Sequence, residues 1–191
     1  VEARSVREDE RALRSFQAGD PAGFETIVRL YQDAVFRLAL ALLGNRDDAR
    51  DASQEVFLRA LRQLPSFRFE SRLSTWVYQL TLNVSREIRR RRNREQRKRH
   101  RWLLLVAPLL TSDPPGADEG DPFGELLALL PPRQKEVVVL RIVQELTIAE
   151  TAEVLGIPEG TVKSNLFKAV AKLRSKMRRS TPRRLTVAPC R

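Results

Sequence analysis

Thr147-Ile-Ala-Glu-Thr-Ala-Glu-Val-Leu-Gly-Ile-Pro-Glu-Gly-Thr-Val-Lys163 has the grammar of a helix-turn-helix. A short helix over Thr147–Leu155 points Ile148, Ala152 and Leu155 inward, Gly156-Ile157-Pro158 makes the turn with Ile157 as an apolar plug, and a second helix runs from Gly160 to Arg179. In that helix Val162, Leu166, Val170 and Leu173 recur at steps of four, four and three and face a core. Thr161, Lys163, Ser164, Phe167, Lys168 and Lys172 fall on the opposite face. Lysines there neutralise phosphates or reach guanine, Ser164 can bond a base edge and Phe167 can lie against thymine methyls. An ordinary helical hairpin with a solvated lysine face is the bland alternative. The positive charge that continues out of the helix weighs against it.

That charge is unevenly placed. The 191 residues carry Lys+Arg 35 and Asp+Glu 24, a formal net of +11 with a sequence pI near 10.9. Arg86–Arg101 holds ten bases and two acids, and Lys172–Arg191 holds eight bases and no acid. The remainder of the chain is therefore acidic, and two separate contacts with a polyanion are expected, nucleic acid first among them.

Working upstream, the chain reads as all-α. Asp20-Pro21 opens an apolar helix through Val35, Phe36, Leu38, Ala39, Leu40, Leu42 and Leu43 that Gly44 ends. A second helix over about Asp47–Leu64 carries Ala52, Val56, Leu58 and Leu61 at helical spacings and stops at Pro65. A third places Trp76, Leu80, Val84 and Ile88 at successive i+4 steps. Residues 106–122 combine four prolines, two glycines and four acids with no base, the composition of an extended linker. Beyond it, Asp121-Pro122 signals a helix start, Pro131-Pro132 a break, and Arg133–Val143 a further helix. Two small helical domains joined by a flexible linker are thus expected: an N-terminal extension at 1–15, a first domain at 16–101, a linker at 102–121, a second domain with the helix-turn-helix at 122–179, and a basic tail at 180–191.

The residues argue against several chemistries. His100 and Cys190 are the single His and Cys, so a zinc finger, a disulfide framework and a His-based catalytic pair are not expected; neither is a metal or other cofactor. The charged first fourteen residues do not read as a signal peptide, and the longest apolar run, Trp102–Leu110, is far short of the roughly 20 residues a membrane span needs. A soluble cytoplasmic protein is expected. Asp47, Asp48, Asp51 and Glu55 make an acidic patch, read as a protein-contact face or plain solvated surface. Trp76 and Asn83, seven positions apart, share a helix face beside the first basic cluster; an aromatic plate with an amide suits an unstacked base, and a core tryptophan explains Trp76 equally well.

Four ordered motifs carry a resemblance: Asp47-Asp-Ala-Arg-Asp-Ala-Ser-Gln-Glu-Val-Phe-Leu-Arg-Ala60, Phe67-Arg-Phe-Glu-Ser-Arg-Leu-Ser-Thr-Trp-Val-Tyr-Gln-Leu-Thr-Leu-Asn83, Leu130-Pro-Pro-Arg-Gln-Lys-Glu-Val-Val-Val-Leu-Arg141 and Gly156-Ile-Pro-Glu-Gly-Thr-Val-Lys-Ser164. Over about residues 16–178 the chain resembles a bacterial sigma factor of the extracytoplasmic-function type. The resemblance implies a non-catalytic protein that joins core RNA polymerase, recognises two promoter elements and assists strand opening. It implies that Asp48, Asp51, Gln54, Glu55 and Phe57 dock on the coiled-coil clamp of the beta-prime subunit, and that the second domain meets the beta flap. It implies that the loop with Phe67, Arg68, Glu70 and Ser71, together with Trp76 and Asn83, captures a flipped non-template base of the minus-ten element, with Arg86, Arg89 and Arg90 holding adjacent DNA. Thr161, Lys163, Ser164, Phe167, Lys168 and Lys172 then read the minus-thirty-five major groove. An anti-sigma partner is expected, without direct insertion of this chain in a membrane. Where the family has glycine after Phe-Arg, this chain has Phe69. The alternative is a helix-turn-helix regulator that does not replace sigma, which would leave Asp47–Phe57 and Phe67–Asn83 without a task; a helical enzyme acting on nucleic acid lacks an acid, base or metal constellation.

Overall fold

The computed structural model describes residues 2–106 and 122–180, with side chains within 8–97 and 124–176. Among the described residues there are eight α-helices, one 3₁₀ turn and no strand. They are α1 (Glu2–Gln17), α2 (Pro21–Leu43), α3 (Arg46–Gln63), the 3₁₀ turn Leu64–Ser66, α4 (Leu73–Val106), α5 (Pro122–Ala128), α6 (Pro132–Ile142), α7 (Ile148–Leu155) and α8 (Glu159–Ser180). Residues 102–106 of the expected linker continue α4. The rest of that linker, and the tail beyond residue 180, lie outside the described residues.

Local chemistry sets the boundaries. The Asp20 carboxylate accepts from the Ala22 amide, Pro21 occupies the first helical turn, and Gly44 closes α2 at φ 71 with its N–H on the Leu40 carbonyl. The Asn45 side chain accepts from the amides of Asp47 and Asp48 to start α3. Thr147 and Glu150 form a reciprocal capping box on α7, and Gly156 ends it at φ 61 while the Ile157 amide reaches the Ala152 carbonyl.

α1 to α4 surround one core that includes Leu13, Ile27, Val35, Ala52, Val56, Leu73, Val77 and Val84. Trp76 and Ile88 pack half-buried at its edge. Two expectations are corrected here. The inward stripe of α3 is Ala49, Ala52, Val56 and Ala60, while Leu58 and Leu61 stand 50% and 43% exposed. The alanines lie on the face of α3 that meets α2 and α4, and the helical turn places the two leucines on the other side. The segment taken as an N-terminal extension is α1, and the boundary drawn at residue 16 cuts through it: Ala12 and Leu13 are buried against α2. Gly23 permits this approach, since a Cβ there would lie 2.4 Å from the Ala12 carbonyl oxygen and 2.5 Å from the Phe16 nitrogen. Tyr31 Oη donates to the buried Asp9 carboxylate across the same contact.

α5 to α8 form the second unit around Leu127, Leu130, Val137, Leu140, Val154, Leu155 and Val162. Its core is continuous with Leu38 and Leu42 of α2 and Leu82 of α4. The two units therefore pack together, α6 against α2 and α7 against α4.

Candidate nucleic-acid interface

α8 lies on α6 and α7 through Val162 and Ala169, with Leu166 and Leu173 partly buried beside them. The face opposite this stripe is open. Thr161, Lys163, Ser164, Phe167, Lys168 and Lys172 are all exposed, Phe167 at 77%. The Phe167 ring stands clear of the core among the polar side chains of this face. Lys163 lies 3.8 Å from Glu159 one turn earlier, an exposed pair that phosphate would readily displace. All six residues expected to read DNA are thus on one surface.

The second candidate surface begins at the loop after the 3₁₀ turn. Phe67, Phe69 and Trp76 form a chain of edge-to-face rings, 5.6 Å and 5.7 Å between successive centroids. Phe69 has φ 58, the left-handed conformation that suits glycine. Arg68 and Glu70 point to water and Ser71 is half-buried. Trp76 packs partly buried against the core, as the core reading of its spacing expects, and is not fully enclosed.

Further along α4, the expected cationic ramp is divided. Asn83 is exposed and its Oδ1 accepts from Arg86 Nη1 at 3.2 Å. Arg86 also makes a bidentate pair with Glu136 of α6, both contacts 2.9 Å, and Arg133 adds a third at 3.1 Å. The Glu136 side chain is 5% exposed. Burial pushes its carboxyl up, yet the bonds from Arg86 and Arg133 outweigh this and hold it below the usual carboxylate range. Arg89 is half-buried beside Lys135, whose ammonium is pushed down by burial and by that guanidinium. Arg91 pairs with Glu95 and Arg92 reaches Asp48 of α3, while Arg90 is exposed. The adjacent Arg89, Arg90, Arg91 and Arg92 are about 100° apart around the helix and so face different neighbours, while Asn83, Arg86 and Arg90, at i, i+3 and i+7, share a face. Arg72 to Glu150, Gln79 to the Glu153 carbonyl and Gln144 to the Ala34 carbonyl add to the seam between the units.

On α3, Asp51 and Gln54 are exposed, Asp48 is paired with Arg92, Glu55 with Arg59, and Phe57 packs partly on the core. Arg59 bridges onward to Glu87. Asp48, Asp51, Glu55 and Arg59 line a cavity of about 1180 Å³ together with Glu87 and Arg90–Arg92 of α4. The acidic patch is thus one wall of a groove whose other wall is basic.

Sequence reasoning missed Arg14, Gln17, Arg133 and Glu136. The signal for α1 was present in Asp9, Ala12, Leu13 and Phe16, which share one helical face. Nothing in the sequence marks Glu136 as the partner of Arg86, fifty residues away.

Comparison with known proteins agrees with this arrangement. Residues 27–95 match the family Sigma-70 region 2, and residues 121–173 match Sigma-70, region 4. The chain is 33% identical over 171 residues to the ECF RNA polymerase sigma factor SigM of Mycobacterium tuberculosis, covering 89% of this chain and 85% of that one. It is 27% identical over 179 residues to the ECF RNA polymerase sigma factor SigW of Bacillus subtilis, covering 88% and 96%. Its fold matches CnrH, solved in complex with the cytosolic domain of CnrY, with a TM-score of 0.70 at 22% identity over 91% of this chain and 99% of that one. It also matches RpoE of Bartonella quintana, solved with the anti-sigma factor NepR, with a TM-score of 0.57 at 21% identity over 83% and 98%. With a helix-turn-helix whose outer face is open, a polar and aromatic surface on the first unit, and both regions matched in order, the chain belongs to the ECF family of RNA polymerase sigma factors, which join core polymerase and direct it to promoters.

Proposed function

We propose that the unit spanning residues 16–101, completed by α1, docks on core polymerase and handles the minus-ten element, and that residues 122–179 read the minus-thirty-five element. The exposed face of α8 carries the second assignment: Ser164 and Phe167 reach base edges and methyl groups, while Lys163, Lys168 and Lys172 meet phosphates. Asp51 and Gln54 present the open part of the polymerase-docking face on α3, flanked by Asp48, Glu55 and Phe57. Phe67, Arg68, Glu70, Ser71 and Trp76 receive an unstacked non-template base. Asn83, Arg86, Arg89 and Arg90 follow the strand once Arg86 exchanges Glu136 for phosphate.

The chain itself does no chemistry; the polymerase does. No helix among the described residues is long and apolar enough to cross a membrane, and the working place is the cytoplasm, where the polymerase is. An anti-sigma protein as a partner is supported by the RpoE–NepR complex, whose sigma factor shares this fold. The single observation carrying the promoter-reading assignment is the exposed face of α8 from Thr161 to Lys172. Purified chain added to core polymerase should give promoter-specific transcripts that core alone does not make. Binding to duplex DNA without any core-dependent transcript would instead mark a helix-turn-helix regulator that does not replace sigma.

A further inference from the structure

Phe69 presents an unexplained backbone. A bulky L-residue at φ 58 is a genuine outlier, and such a conformation persists only where its surroundings over-determine it. The surroundings here come from a helix outside the segment matched as Sigma-70 region 2, which begins at residue 27. The Arg14 guanidinium of α1 sits over the Phe69 ring, 4.7 Å from its centroid. One turn on, Gln17 Nε2 donates to the carbonyls of Leu64 and Phe67, at 3.0 Å and 2.9 Å. α1 therefore grips the loop at its base through the backbone and at its bend through the ring. Phe69 passes the constraint to Phe67, and Phe67 to Trp76.

From this we infer that Arg14 and Gln17 are positioning residues, which fix the bend of the 67–72 loop through Phe69 and thereby set which unstacked base the loop accepts. The inference rests on the proposed role of this loop in base capture. Its physical content is rotational: Arg68, Glu70 and Ser71 flank the bend, and the φ of Phe69 decides the directions in which their side chains leave the backbone. A loop free to leave the left-handed region would present those donors and acceptors in several arrangements, and discrimination among bases depends on one. The cation over the ring and the two backbone bonds hold that one arrangement before DNA arrives.

The test uses the full chain bound to core polymerase and single-stranded non-template minus-ten oligonucleotides, with all four bases scanned at each position by fluorescence anisotropy. Arg14 and Gln17 are both exposed, so Arg14→Ala with Gln17→Ala leaves the fold intact, as checked by thermal melting. The double variant should reduce the ratio of affinities between the preferred base and its nearest competitor by about fivefold, with affinity for core unchanged. Arg14→Lys, keeping Gln17, should recover most of the ratio because it keeps a cation over the ring. Phe69→Gly, which tolerates φ 58 without a ring, should also lose discrimination. A wild-type preference that survives unchanged in the double variant, or a loss of affinity equal for all four bases, overturns the positioning role. A wild type without preference at any position overturns the base-capture reading itself, and the inference with it.

Discussion

Ser164 and Phe167 on α8 illustrate how little a single side chain needs to do once its helix is placed. Each faces water on the side of α8 turned away from the core, so a substitution there should leave folding intact and, on the proposed role of this face, alter recognition alone. Ser164→Ala or Phe167→Ala should change preference among minus-thirty-five sequences by about 1–3 kcal/mol for each base interaction removed. Lys168→Ala should weaken all sequences alike and reduce the salt dependence of binding; competition assays on a panel of upstream duplexes distinguish the two patterns. Glu136 is the opposite case, a buried carboxylate bonded by both Arg86 and Arg133. Because its folded pKa is held below the ordinary value, its stabilisation is present above the usual carboxylate range and is lost as pH falls through the depressed value. The Arg86–Glu136 tie between α4 and α6 should therefore weaken on acidification, and Glu136→Gln should flatten that dependence, as read from pH-dependent thermal melts.

Among the elements, α1 is the one whose contribution is largest relative to its visibility. Its docking on α2 depends on the missing side chain at Gly23, where a Cβ would meet backbone atoms that cannot rotate away. Gly23→Ala should destabilise the first unit by about 1–3 kcal/mol, seen as a lowered thermal midpoint. The Asp9–Tyr31 contact on the same seam has the reverse pH sign from Glu136. Burial raises the Asp9 carboxyl, only partly offset by the Tyr31 bond, and one of its oxygens is buried without a partner. That contribution is full below the ordinary carboxylate range and fades as pH rises through the raised value. Asp9→Asn, which keeps an acceptor for Tyr31 and removes the charge, should raise the thermal midpoint at neutral pH and leave it little changed in acid.

Across the whole molecule, the two units share a core and a seam of ionic and polar contacts, and on the proposed minus-ten role of Arg86 the DNA strand and Glu136 of α6 would compete for it. Leu38, Leu42 and Leu82 contribute apolar burial to the second unit's core, while Lys135 beside Arg89 works against closure. Glu136→Ala removes the acceptor shared by Arg86 and Arg133 and should cost the closed arrangement about 1–3 kcal/mol. The free chain should then expand, as measured by small-angle scattering or by energy transfer between labels on α3 and α8. Its Arg86 should become available to single-stranded DNA. An unchanged radius and unchanged DNA affinity would show that the apolar contacts alone hold the units together.

Periodicity, caps and turns determined most helix boundaries from α2 onward to within a residue or two, the end of α4 excepted, because a helix boundary is set by local groups: Asp20 and Pro21, Asn45, Thr147 with Glu150, Gly44 and Gly156. The same locality made the α8 face legible, since residues on one helix keep their angular relation whatever surrounds them. The order of the four motifs made the family legible as well. What the sequence left undecided were relations between elements. Whether α1 packs or extends depended on a neighbour without a side chain, and whether Leu58 or Ala60 faces inward depended on which face of α3 meets α2 and α4. That Arg86 meets Glu136 and not a neighbouring acid, and that Arg14 and Gln17 hold Phe69 in a glycine-like bend, are matters of distance between residues remote in the chain. Such pairs carry no local signature, because their energy exists only once packing has brought the groups together.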